Sequence, residues 1–317
     1  MASEIVDVSG KNAMETTAEP GCGKWVRIKS QKEILSTLDA SGTLNGLPFM
    51  PEMALFCGHA FRVRSHPGKT CVDARPMEMR TFPARNVFLL EGTRCPGTAH
   101  GGCERECALF WDRRWLEPIS ASDAADSRQP VSPISLPTLP VMRSDGTYFC
   151  QSTQLRSATT LLSPKQRLAV AWWDWQRHNL PAARIAAKFI GPAWRKLRRR
   201  LRGNWPRGSL HKTPTASIGL QPGDLVRVKP MTEILKTLDG EGRNRGLVFE
   251  PDMAGYCERP FRVRRRVQRM IAESTGKMLT LMNTVTLEEI VCTCPFTFGG
   301  CPRTELQLWR EIWLEKV

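Results

Sequence analysis

One stretch of this chain occurs twice, and that repeat restricts the possible folds more than any other feature. Residues 23–64 and 223–264 align over 42 positions without a gap, and 22 of those positions are identical. After a short length difference the copies realign: NVFLLEGTRC at 86–95 matches NTVTLEEIVC at 283–292, and GGC at 101–103 matches 299–301. WDRRWLEPI at 111–119 then matches WREIWLEKV at 309–317. A recurrence this long requires two copies of one structural module. The length of 317 residues holds two such domains and the material that joins them.

Inside the module, residues 24–29 alternate basic and apolar side chains, the period of a strand with one buried face. Residues 33–38 read as a short helix, with Ser30 as N-cap and Glu33 completing a capping box. Residues 39–46 hold Asp, Ser, two glycines and Asn, and predict a turn. A second strand is expected at 60–64, just after Cys57. In the second copy, 264–272 and 277–286 flank Glu-Ser-Thr-Gly as a hairpin, and 285–292 reads as a further strand. Trp111/Trp309 and Trp115/Trp313 recur as core anchors that close the module. Short strands with Gly-rich connections predict a mainly β protein made of two small β-barrels.

The opening G-x-x-V-R-V-K, followed by turns and F-R-V, resembles the SH3-like barrels of translation and transcription factor modules. A closer resemblance is to an uncharacterised bacterial family with the pattern V-R-V-K, E-I-L-x-T-L-D, G-L-x-F-x-P-x-M, Y-C, F-R-V, C-P-R and W-R-E-I-W-L-E. Those motifs stand here at 226–229, 233–239, 246–253, 256–257, 261–263, 301–303 and 309–315. The match spans most of 220–317 and, more loosely, 23–119. It implies two SH3-like barrels and a setting among polysaccharide or secondary-metabolite genes, where members of that family are often encoded. It implies no particular activity.

Between the copies the composition changes. Residues 1–22 read as a flexible tail, 23–119 as the first barrel, 120–163 as a Ser/Pro linker, 164–212 as a basic connector and 213–317 as the second barrel. The chain carries a net charge of +15, and residues 164–212 hold thirteen Lys or Arg against one acid, Asp174. Pro181 and Gly191-Pro192 divide this connector into short helices. Arg195, Lys196, Arg198, Arg199, Arg200 and Arg202 are its densest run, and Trp172, Trp173, Trp175, Trp194 and Trp205 are interleaved nearby. Such a pattern suits nucleic acid, where cations neutralise phosphates and rings stack on bases. It suits an anionic membrane surface equally, and it also fits a solvated linker whose tryptophans pack on the barrels. The N-terminus has no apolar h-region, and no run of 18 apolar residues occurs. The expected location is the cytoplasm, with peripheral membrane attachment open.

Cytoplasmic cysteines are kept as thiols or metal ligands. Three positions recur, Cys57/Cys257, Cys95/Cys292 and Cys103/Cys301, and the first copy adds His100 and Cys107 in a C-x4-H-x2-C-x3-C motif. Thiolates are the soft ligands that zinc and iron prefer. The expectation is a closed zinc site of Cys57, Cys95, Cys103 and Cys107 with His100 beside it, iron being the alternative. In the second copy Cys257, Cys292 and Cys301 form the expected set, completed by Cys294 more readily than by Glu305. Against this stands simple packing, since free cysteine is often a buried apolar residue. Cys22, Cys71 and Cys150 do not repeat and read as incidental, and the unrepeated His59 and His66 as surface residues. The recurring Glu33/Glu233 and Asp39/Asp239 have cap and turn roles, and no catalytic motif stands out. The resulting expectation is a non-catalytic, metal-stapled tandem barrel docking on an anionic partner. A cysteine-ligated metalloenzyme or maturation factor in polysaccharide or secondary-metabolite biosynthesis is the alternative.

Overall fold

Alternation in the repeat turns directly into strands with one buried face. The structure, a computed structural model, describes residues 20–73, 78–83, 86–126, 138–163, 165–166, 169–170, 172–173, 206–292 and 302–317. Strand β1 (Trp25–Ile28) buries Val26 and Ile28 completely and leaves Trp25 and Arg27 partly exposed. It joins β2 (Ala60–Ser65), β3 (Val87–Arg94), β4 (Ala108–Asp112) and β5 (Leu116–Ile119) in one antiparallel sheet of order β4-β3-β2-β1-β5. The second repeat builds the same sheet from β6 (Leu225–Val228), β7 (Pro260–Arg266), β8 (Thr284–Val291), β9 (Leu306–Arg310) and β10 (Leu314–Lys316), in the order β9-β8-β7-β6-β10.

Chain connectivity forces these sheets to curl. β4 and β5 are the two edges, yet only the 3-10 turn Arg113–Trp115 lies between them. Across a flat sheet the edges would stand about 19 Å apart, or four strand spacings. The four residues from Asp112 to Leu116 reach at most about 14 Å even when extended. Register shifts between Val63 and Ser65 and between Leu89 and Arg94 supply the bend, and the second repeat shifts at Val263/Arg265 and Thr286/Val291.

The recurring tryptophans fill the two cores. Trp111, Trp115, Trp309 and Trp313 are fully buried, with Phe49 edge-on to Trp115 and Phe249 edge-on to Trp313. Trp115 Nε1 donates to Thr37 Oγ1 at 3.0 Å, and Trp313 Nε1 donates to Thr237 Oγ1 at 3.0 Å. Trp115→Phe keeps most of the ring but removes the donor, so urea unfolding should show a loss of about 1 kcal/mol. The same change at Trp313 should behave alike.

The capping box and the turn appear where the sequence places them, while the helix spans 31–35 rather than 33–38 because it starts directly after its cap. Helix α1 (Gln31–Leu35) starts at Ser30, whose hydroxyl accepts from Glu33 N while Glu33 Oε2 accepts from Ser30 N at 3.0 Å. Asp39 accepts from the amides of Ser41 and Thr43, and these bonds, with those from both hydroxyls, hold its carboxyl down at about 2. Asn45 and Gly46 then take φ 53° and 78°, the left-handed pair of a two-residue hairpin turn.

Between the repeats the structure departs from a plain linker. After α2 (Ala121–Asp126), residues 138–163 pack onto the first repeat through α3 (Gln151–Ala158). Buried Gln151 accepts from Phe110 N at 2.9 Å and donates to Phe110 O and Pro48 O, as a neighbouring strand would. Leu155 is fully buried and Cys150 joins the same core. His66, expected at the surface, is buried and stacked on Phe88 at 4.1 Å, and Trp173 Nε1 donates to its carbonyl. The second repeat starts its helix α4 (Met231–Leu235) after Pro230, without a side-chain cap. Arg195, Lys196, Arg198, Arg199, Arg200 and Arg202 lie outside the described residues.

Candidate metal centre

The cysteine motif occupies the loop between β3 and β4, and glycines set its shape. Cys95 N donates to Cys107 O at 2.9 Å and closes the neck of the loop. Within it the Gly97 carbonyl accepts from His100 N and Gly102 N, at 3.1 and 3.0 Å. Gly97, with φ 71°, is the position that admits no side chain, because a Cβ there would overlap the Cys103 carbonyl.

This turn directs three cysteines onto one cavity, and Cys150 at the start of α3 adds a fourth. Cys95, Cys103, Cys107 and Cys150 line a space of about 30 Å³ together with Met50, His100, Arg105 and Arg303. That volume accepts one ion or one to two waters, far below the several hundred Å³ of a small-molecule site. The membership corrects the expected set. Cys57 lies instead in the apolar core, its Sγ 3.9 Å from Met53 O, and burial pushes its thiol up to about 12. Cys150, whose lack of a repeat partner made it look incidental, takes part through the segment read as linker. His100 also lines the cavity, but its ring nitrogens are committed to Glu52 Oε1 at 2.7 Å and Phe149 O at 3.0 Å. In this arrangement His100 ties the loop to Glu52 and to the Phe149 carbonyl. The four thiols share the cavity without the mutual spacing expected for a closed site. Among the described residues, the group that brings three ligand atoms within 4.8 Å of one another is Glu250, Asp252 and Cys292.

Electrostatics at the first cavity favour neutral thiols until a cation enters. Burial pushes Cys95, Cys107 and Cys150 upward, while the Arg105 and Arg303 guanidiniums act in the opposite direction on Cys107. Glu52 is subject to the same burial, but the His100 hydrogen bond and charge outweigh it and hold the carboxyl below its ordinary value.

The cavity opens onto the seam between the repeats. Cys103 Sγ accepts a bond from Ile271 N at 3.4 Å, and Glu104 Oε2 accepts from the amides of Gln268 and Arg269. Glu106 pairs with Arg264 at 2.7 Å and Arg265 at 3.3 Å. Arg94 reaches Glu106 O and Thr304 O, the same position in the two copies, and both residues hold a positive φ. Arg303 pairs with Glu273 at 2.7 Å and lies 2.8 Å from Glu305, an ion pair without hydrogen-bond alignment. Sequence reasoning missed this seam because its signal is spread over single charged residues with no shared spacing.

In the second repeat, Cys257 is half-buried and packs against the core at the place of Cys57. Cys294 and Cys301 lie outside the described residues. Cys292 sits beside two carboxylates instead, with its Sγ 3.9 Å from Glu250 Oε2. Glu305, the alternative fourth ligand, turns to Arg105 and Arg303. Compared with protein-family models, with curated proteins and with solved structures, the chain matches none.

Proposed function

We propose that this protein is a non-catalytic binding module: two SH3-like barrels, the first stapled to the segment that follows it by a cysteine-bound zinc ion, with a connector that docks on an anionic surface. The observation that carries the reading is the clustering of Cys95, Cys103, Cys107 and Cys150 around one ion-sized cavity. Four thiolates satisfy closed tetrahedral zinc, and the ion's charge reverses the penalty that burial places on them. The Ile271 amide directed at Cys103 Sγ supports it, since donors of this kind stabilise a ligating thiolate. Ion binding must draw the sulfurs together to the roughly 3.8 Å separation of a tetrahedral zinc–thiolate centre. A cavity of about 30 Å³ with no room for an organic substrate favours a staple over a metalloenzyme.

Support for the anionic partner comes from the connector's charge and from the sheets. Arg62 on the first sheet recurs as Arg262 on the second, whereas the recurring Arg27 and Arg227 pair with Glu117 and Glu315 and Arg264 pairs with Glu106. Arg62 donates to Gly23 O and Arg262 to Gly223 O, so each copy holds this arginine at its outer face in the same way. The partner is tested by titrating the full chain with single-stranded RNA and, separately, with phosphatidylserine vesicles. Binding to one of them should weaken steeply with salt, and replacing Arg198, Arg199, Arg200 and Arg202 by Ser should weaken it at least tenfold. Unchanged binding to both would remove the docking role.

A further inference from the structure

Each repeat carries a small hairpin beside its main sheet, and the two copies finish that hairpin differently. In the first repeat, strands Thr70–Val72 and Glu78–Thr81 pair, and strand Thr160–Leu161 adds to the outer edge of Glu78–Thr81. The added strand runs antiparallel, with Thr160 opposite Thr81 and Leu161 opposite Arg80, and Leu162 N donates to Met79 O at 3.1 Å. In the second repeat, Arg269–Ile271 and Met278–Thr280 form the same hairpin, with Met270 opposite Leu279 where Thr70 is opposite Arg80. Here the sheet stops at two strands. KMLTLM at 277–282 matches EMRTFP at 78–83, so Met278 and Thr280 stand where Met79 and Thr81 receive the third strand.

Strand alternation locates the open edge. Ala272 N donates to Lys277 O and Leu281 N donates to Gln268 O, so residues 277, 279 and 281 turn their backbone groups into the hairpin. Met278 and Thr280 therefore turn theirs outwards, as Met79 does in the first copy. At the turn Tyr148 N already takes Gly276 O, so the opening begins at Met278. Leu279 is 41% exposed and Met282 66% exposed. Beside them a groove of about 480 Å³ lies between residues 266–269 and 280–284. In the first repeat the matching place is closed. Trp173 stands edge-on to His66, the counterpart of Arg266, and Phe82, Leu162 and Val170 are buried. An exposed apolar edge is a template for a further strand, and folds that do not use one blunt it with charge, a bulge or a cover.

Charge and register define what fits. Arg269 and Lys277 are exposed beside this edge, and among the described residues neither pairs with a carboxylate. Arg269 shares one face of the hairpin with Thr280, while Leu279 and Leu281 share the other. An added strand thus meets a cation on one face and apolar side chains on the other. Leu279 also replaces Arg80, whose guanidinium grips Arg156 O and Thr159 O, so the edge lacks the group that holds the chain's own segment. A second copy of the edge would bring like charges together.

We propose that the edge Met278–Thr280 captures an extended segment of a partner protein by strand addition, a segment whose side chains alternate between acidic and apolar. Backbone bonds to Met278 and Thr280 supply affinity, and the alternating side chains supply specificity. An aromatic residue after the segment fills the groove, as Trp173 covers His66 in the first repeat. This binding uses neither the thiol cavity nor the basic connector.

Fluorescence anisotropy of the full-length protein with a labelled Glu-Val-Glu-Val-Glu-Trp peptide tests it. A Lys-Val-Lys-Val-Lys-Trp peptide and an acidic peptide with proline in place of each valine are run beside it. The proline peptide keeps the charge but cannot complete a ladder, so it should bind at least about tenfold more weakly. Thr280→Pro removes an outward amide and spares the bonds inside the hairpin, and it should weaken the acidic peptide by a similar factor. Arg269→Glu should exchange the preference from the acidic to the lysine peptide, a gain that misfolding cannot mimic. No binding of the acidic peptide at about 1 mM overturns the proposal. So does equal affinity for the proline peptide, unchanged affinity in Thr280→Pro, or an unchanged preference in Arg269→Glu. A dimer of the free protein that Thr280→Pro dissolves would assign the edge to a second copy and overturn it as well.

Discussion

Arg303→Met should cost about 3–5 kcal/mol, the range seen when one partner is removed from a buried ion pair. Arg303 is 3% exposed and holds Glu273 and Glu305 from its own repeat. It also donates to Ser152 Oγ at 3.0 Å and Cys71 O at 3.4 Å across the seam. Glu273 in turn accepts from Asp73 N and Ser152 Oγ, so one guanidinium neutralises the carboxylate that ties the copies together. Methionine fills much of the volume but leaves Glu273 buried without its cation and Glu305 with Arg105 alone. Urea unfolding should show a lower midpoint and a split into two transitions as the repeats uncouple. Adding Glu273→Gln to Arg303→Met should recover part of the loss, because the desolvated charge is removed with its partner.

Gly97→Ala should be nearly as damaging, roughly 2–4 kcal/mol, and should abolish metal retention by the first repeat. The residue combines φ 71° with a carbonyl that any Cβ would overlap, so the β3–β4 loop must open to accept it. Opening the loop breaks the bonds from His100 N and Gly102 N to Gly97 O and moves Cys103 away from Ile271 N. Gly102 offers a control. It has the same φ but nothing within 4 Å of an added Cβ, so Gly102→Ala should cost only the backbone strain, about 1 kcal/mol. Thermal melts and zinc content of the two variants read the difference.

The parts that were legible in the sequence are those governed by local pattern. The alternation at 24–29, the Ser30/Glu33 capping box and the Trp pairs gave strand, helix and core because each acts over a few residues. The duplicated five-stranded module followed from the repeat alone. What stayed hidden depends on contacts between distant segments. Cys150 had no repeat partner and sat in Ser/Pro-rich chain, so nothing marked it as a neighbour of Cys107. Gln151 docks that segment by imitating a strand backbone, which leaves no periodic signal. Cys57 recurred as faithfully as Cys95, but its recurrence reflects packing of a core that both copies share. His100 had ligand spacing, yet its nitrogens are spent on Glu52 and Phe149. Glu250 and Asp252 carry no motif in the sequence, and only the fold brings them to Cys292.

The role of Cys150 separates a zinc-stapled first repeat from a merely cysteine-rich core, and metal content measures it directly. Full-length wild type, Cys150→Ser, Cys103→Ser and Cys57→Ser are purified in parallel, dialysed against a weak chelator and assayed for bound zinc per chain. A centre built on Cys95, Cys103, Cys107 and Cys150 predicts that Cys150→Ser and Cys103→Ser each lose one zinc relative to wild type, while Cys57→Ser keeps it. Loss of zinc from Cys57→Ser with retention in Cys150→Ser, or no zinc bound to wild type at all, would contradict it.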